Sequence, residues 1–126
     1  MHLGIDLGTS NSAIVAHQGS SLRLFKTPDG TDVLPSAVYI DPRGHRFVGR
    51  RAYEQATLNP ENVAREFKRL MGTAQHLDFA AAKLSRKPEE LAAEVLAQLT
   101  GSGESQWPRA GLKSASLQVR RAASNA

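Results

Sequence analysis

A chain of 126 residues suffices for one domain or a piece of one, with a modest core. Apolar side chains make up 40% and aromatics 6%, which predicts a small core and a poorly ordered stretch, and the absence of cysteine excludes a disulfide framework or thiolate metal site and fits a reducing cytoplasm. The net charge of +4 sits mostly at the end, where Arg109, Lys113, Arg120 and Arg121 face Glu104 alone, so a solvated basic tail is favoured over a nucleic-acid surface.

The chain opens Met1-His2-Leu3-Gly4-Ile5-Asp6, with no basic leader and an early carboxylate, so it does not read as a signal peptide. No apolar run approaches the roughly 20 residues of a membrane span. Leu3, Ile5 and Leu7 alternate with Gly4 and Asp6, the period of a strand. Gly8-Thr9-Ser10-Asn11 is turn chemistry, Ala13–Ala16 a second strand, Gly19–Ser21 another turn, and Leu22 to Phe25 a third strand, together a β-meander. Thr27–Asp32 is a polar loop, and Ser36–Ile40 a strand introduced by Pro35. Asp41-Pro42-Arg43-Gly44 turns the chain back into His45–Val48.

Gly49 opens a helix over Arg50–Leu58 that Asn59-Pro60 stops, and Val63–Met71 reads as a second short helix ended by Gly72. Residues 77–87 fit helix or loop. Pro88-Glu89-Glu90 supplies a helix first turn, and Leu91, Val95 and Leu99 give helical spacing to about Thr100. Gly101-Ser102-Gly103 then ends the helix. Residues 101–126, Trp107 included, read as a disordered tail with at most a weak helix near Ala115–Ala123.

The chemistry lies in Gly4-Ile5-Asp6-Leu7-Gly8-Thr9-Ser10-Asn11-Ser12. Gly8 lets a phosphate approach, Thr9 and Ser10 add hydroxyl donors, and successive turn amides can form an anion-binding concavity. Asp6 would repel a phosphate unless a hard cation such as Mg²⁺ lies between them, largely hydrated. The plain alternative is a hairpin whose Asp and Thr only satisfy turn amides. A Walker A loop is absent. His2, His17, His45 and His76 lack metal-ligand spacing, and Ser10 and Ser12 lack a nucleophile's partners.

The nonamer resembles the phosphate-one signature of the actin, sugar-kinase and heat-shock ATPase superfamily, and its Asn11-Ser12 ending resembles the DnaK-type chaperones, the heat shock protein 70 family. Leu34-Pro35-Ser36-Ala37-Val38 is similar to that family's Thr-Pro-Ser strand, and Val48-Gly49-Arg50-Arg51-Ala52 with Asn59-Pro60-Glu61-Asn62 to its Val-Gly-x-x-Ala and Asn-Pro segment. Phe67-Lys68-Arg69-Leu70-Met71-Gly72 is similar to its Lys-Arg-Leu-x-Gly block, and Pro88-Glu89-Glu90-Leu91 to the helix that follows. Thr31-Asp32-Val33 departs from the family's usual Arg-Thr-Thr.

The resemblance, over about residues 1–99, implies an α/β fold: an incomplete actin-like (ribonuclease H-like) lobe, with residues 1–100 the N-terminal portion of a nucleotide-binding domain. It implies ATP and Mg²⁺ as cofactors, Asp6 near the metal, Gly8, Thr9, Ser10 and Asn11 on the phosphates, and Lys68 as the catalytic lysine. It further implies unfolded protein clients and co-chaperones as partners, and a cytoplasmic chaperone. The tail at 101–126 does not resemble the family's continuation and reads like a frameshifted or truncated product. One hairpin and one lysine do not enclose a nucleotide, so the chain alone is expected to hydrolyse ATP negligibly. Two other readings compete: a sugar or carboxylate kinase of the same superfamily, against which Asn11-Ser12 and Lys68-Arg69-Leu70 argue, and a non-enzymatic interaction module, whose mark would be salt-dependent duplex binding.

Overall fold

Period-two patterning and two tight turns shape the start of the chain. In the computed structural model, which describes residues 2–27, 30–104 and 116–121, β1 (His2–Leu7), β2 (Asn11–Gln18) and β3 (Ser21–Leu24) form the expected antiparallel meander. Ile5 and Leu7 are buried and Asp6 between them is exposed. The alternation thus sends the carboxylate to the face away from the core. β4 (Leu34–Pro35) lies antiparallel on the start of β2, with Asn11 opposite Pro35 and Ser12 opposite Leu34.

β5 (Ala37–Ile40) is the middle strand of a second sheet, between β6 (Arg46–Val48) and β7 (Val63–Arg65). Helix α1 (Arg50–Leu58) packs on all three strands through buried Ala52. A 3-10 turn at Pro60–Asn62 follows. Buried Asn62 accepts the Ala81 amide at 2.8 Å, which pins the hairpin of β8 (Leu77–Phe79) and β9 (Leu84–Arg86). Helix α2 (Pro88–Glu104) starts on a proline with Glu89 and Glu90 in its first turn. Its stripe of Leu91, Val95 and Leu99 is almost wholly buried against β2, β5 and a 3-10 turn at Phe67–Leu70. Each such side chain contributes roughly 2 kcal/mol of burial.

The α/β class holds, and four local expectations give way. Val63–Met71 is not a helix: Val63–Arg65 pairs with Ala37–Tyr39 as a strand, Glu66 turns left-handed at φ 56°, and only Phe67–Leu70 winds, as a 3-10 turn. Cross-strand pairing that buries Ala64 outcompetes the weak helical spacing. Residues 77–87 form the β8–β9 hairpin, because Phe79 is fully buried while the alanines between the strands only turn the chain. Helix α2 runs through Gly101–Gly103 to Glu104.

Finally, where a disordered tail was expected, Ser116–Arg121 forms β10, parallel to β1, with His2 opposite Ser116 and Leu7 opposite Arg121. The larger sheet therefore runs β10-β1-β2-β3, with β4 beside β2. Pro28 and Asp29 of the polar loop, and residues 105–115 and 122–126 of the tail, with Trp107 among them, lie outside the described residues. No helix among the described residues is long and apolar enough to cross a membrane.

Candidate functional site

The turn that joins β1 to β2 admits only glycine at its first position. A Cβ on Gly8 would lie 2.1 Å from the Asn11 carbonyl oxygen, far inside contact distance. The chain reverses over Gly8–Ser10, with Leu7 opposite Ser12 and Asp6 opposite Ala13. Among the described residues the amides of Thr9 and Ser10 donate no hydrogen bond, and the Asp6 carboxylate accepts none. The plain alternative, an Asp capping its own turn, is therefore not the arrangement present.

Three carbonyls of the same turn are engaged by groups from distant segments. The Leu7 oxygen accepts the Lys68 ammonium at 2.5 Å, the Gly8 oxygen accepts the Ser36 hydroxyl at 2.8 Å, and the Ser10 oxygen accepts the Ser36 amide at 2.9 Å. Ser36 also shares a 2.8 Å hydrogen bond with the buried Ser12 hydroxyl. Lys68 is 7% exposed, unusual for a lysine. A buried ammonium requires close acceptors, and the Leu7 carbonyl is one. Buried Phe67 fixes the 3-10 turn that carries Lys68, and Glu89 of α2 accepts the Gly72 amide just beyond it at 2.8 Å. That bond, helped by the Glu89 amide, holds the Glu89 carboxyl below its ordinary value.

A cleft of about 350 Å³ opens beside the turn. Thr9, Ser10, Asn11, Pro35 and Ser36 line it together with Tyr53, Arg65 and Glu66. The Arg65 guanidinium stands 5.6 Å from the centre of the Tyr53 ring, a cation–π distance. Of the residues singled out from sequence, Thr9, Ser10 and Asn11 thus share the cleft. Asp6 and Gly8 adjoin it in the hairpin, and Lys68 braces the hairpin at the end of β1 without lining the cleft. No cluster of three or more His, Asp or Glu side chains suited to a metal exists among the described residues. A cation at Asp6 would accordingly have one protein carboxylate and keep most of its water, which suits Mg²⁺.

Sequence reasoning missed two things here. Ser36 stood inside a quoted motif, but its three bonds to the hairpin had no sequence signal. Tyr53, Arg65 and Glu66 meet the hairpin only through tertiary packing. With that geometry in hand, a comparison with protein families can be added: the family model for Hsp70 protein matches residues 2–117. The match extends past residue 100 into β10.

Proposed function

The chain belongs to the Hsp70 family and carries part of that chaperone's ATPase region; from this premise we propose that its first hairpin grips the phosphates of magnesium-bound ATP. The observation that carries the reading is the pair of open amides at Thr9 and Ser10, next to a carboxylate that caps nothing. Those amides and the Thr9, Ser10 and Asn11 side chains offer hydrogen bonds to phosphate oxygens, and Gly8 leaves the space to approach. Asp6 would hold Mg²⁺ through its water shell, and the ion would neutralise phosphate charge. Lys68 holds the Leu7 carbonyl behind the hairpin and so places a fixed positive charge near the phosphate-binding turn, the kind of group a phosphoryl transition state can draw on. In this reading the intact assembly uses ATP to drive binding of unfolded proteins in the cytoplasm with co-chaperone help, and the chain alone turns ATP over negligibly.

The test is a titration of the ¹⁵N-labelled chain with Mg-ATP. Thr9, Ser10 and Asn11 amide signals are expected to move together, with Asp6→Asn removing the magnesium dependence. Lys68→Met should weaken binding about tenfold, through loss of the brace on the Leu7 carbonyl and of the nearby charge. Saturating Mg-ATP that leaves those three signals in place would reject the reading.

A further inference from the structure

We propose that Ser36 is the positioning residue of the phosphate hairpin, aiming the Thr9 amide by holding the carbonyl of the same peptide unit; the inference rests on the phosphate-binding reading given above. A serine hydroxyl has one proton. The Ser36 proton goes to the Gly8 oxygen at 2.8 Å, so in the 2.8 Å contact between the two hydroxyls Ser12 must be the donor. The chain of hydrogen bonds therefore has one direction: Ser12 hydroxyl to Ser36 hydroxyl to Gly8 carbonyl. Both hydroxyls are buried, Ser12 at 1% and Ser36 at 3% exposure, so water does not compete for them.

The Gly8 carbonyl and the Thr9 N–H belong to one planar peptide group. No cis bond occurs among the described residues, so they point in opposite directions. Fixing the carbonyl on Ser36 fixes the Thr9 N–H pointing away from it, unpaired within the described protein. The Ser36 amide does the same for the next unit but one, through the Ser10 oxygen at 2.9 Å. Lys68 does it for the preceding unit, through the Leu7 oxygen. Pro35 just before Ser36 limits the backbone freedom of the segment that carries the clamp. Donors fixed before the anion arrives have no ordering entropy left to lose on binding, which is what preorganisation means for affinity.

Three variants decide it: Ser36→Ala, Ser36→Thr and Ser12→Ala. In the free chain, Ser36→Ala should shift and broaden the Thr9 amide signal, and Ser36→Thr, which keeps the hydroxyl, should restore it. Ser12→Ala removes only the donor to Ser36 and leaves the Gly8 bond, so it should disturb Thr9 least. With Mg-ATP, Ser36→Ala should bind about tenfold more weakly and Ser12→Ala within about twofold of wild type. A clamp that is merely structural would lower the melting temperature of both alanine variants and leave affinity and the Thr9 signal alone, which would overturn the proposal. If Thr cannot fit the buried site, the contrast between the two alanine variants still decides. If wild type binds no Mg-ATP, the phosphate reading fails, and the free-chain Thr9 signal alone decides the clamp.

Discussion

The chain contains two turns that look alike in sequence and are built in opposite ways. Asp6 to Asn11 and Asp41 to His45 each pair an aspartate with a glycine two or three residues on. At the second turn the Asp41 carboxylate accepts the Arg43 and His45 amides, both at 2.9 Å, and lies 3.2 Å from the His45 ring. That turn closes on itself. At the first turn, among the described residues, the aspartate caps nothing and two amides stay open, while the Gly8 and Leu7 carbonyls are held by side chains from distant segments, Ser36 and Lys68. A turn that only has to reverse the chain satisfies its own polar groups. A turn that leaves donors open must be stabilised from elsewhere, and needs a use for them.

The largest expected effect separates the two glycines. Gly8→Ala puts a methyl group 2.1 Å from the Asn11 oxygen, so the hairpin has to open; a loss of about 3 kcal/mol is expected, at the upper end of overpacking costs. Gly44 has open space around its Cβ position and a φ of 86°. Gly44→Ala should therefore cost only the backbone strain, about 1 kcal/mol. Denaturant melts of the two variants check this, and equal losses would erase the distinction between a crowded and a merely left-handed glycine.

The two aspartates should differ in kind rather than size. Asp41→Asn is expected to lower the melting temperature slightly and leave Mg-ATP binding unchanged. Asp6→Asn should leave the melting temperature where it is, since its carboxylate holds no amide, and alter binding only in the presence of magnesium. Calorimetric titration with and without Mg²⁺ checks the pair. An Asp6→Asn variant that melts early would show that the first aspartate is structural after all.

That contrast was only half legible in the sequence. The β1–β2 hairpin follows from the alternation of Leu3, Ile5 and Leu7 and from Gly8-Thr9-Ser10, and α2 from Leu91, Val95 and Leu99, because local periodicity encodes both. What holds the hairpin is not local. Ser36 reaches Gly8 across 28 positions and Lys68 reaches Leu7 across 61. β7 looked helical because its pairing with β5 is invisible in a window of neighbours. β10 is a parallel partner for β1 from the far end of the chain, and pairings of that kind leave no trace in local sequence beyond short alternation. The Asp41 turn, by contrast, was legible as a turn, since every group it uses lies within five residues, although its aspartate cap was not read from the sequence.

Acid should produce the smallest effect and separate the turns once more. Desolvation raises the Asp41 pKa, but hydrogen bonds from the His45 amide and ring and the Arg43 amide outweigh it and hold the carboxyl below its ordinary value. A depressed carboxyl stabilises the fold fully above its unfolded value, near pH 4, and that contribution is lost as pH falls through the lower folded value. The Arg43 and His45 amides should therefore lose exchange protection in acid, and Asp41→Asn should abolish the step. The first hairpin is clamped by the Ser36 hydroxyl, which does not titrate there, so acid reaches the clamp indirectly. Its one indirect route is Glu89, likewise depressed, chiefly by the Gly72 amide it accepts beyond the Lys68 turn. Glu89→Gln should remove an acid step at Gly72 and leave the one at Arg43. If the Thr9 and Arg43 signals instead shared a single acid midpoint below pH 4, the two turns would be opening as one unit, and the clamp would not be independent of the carboxylates.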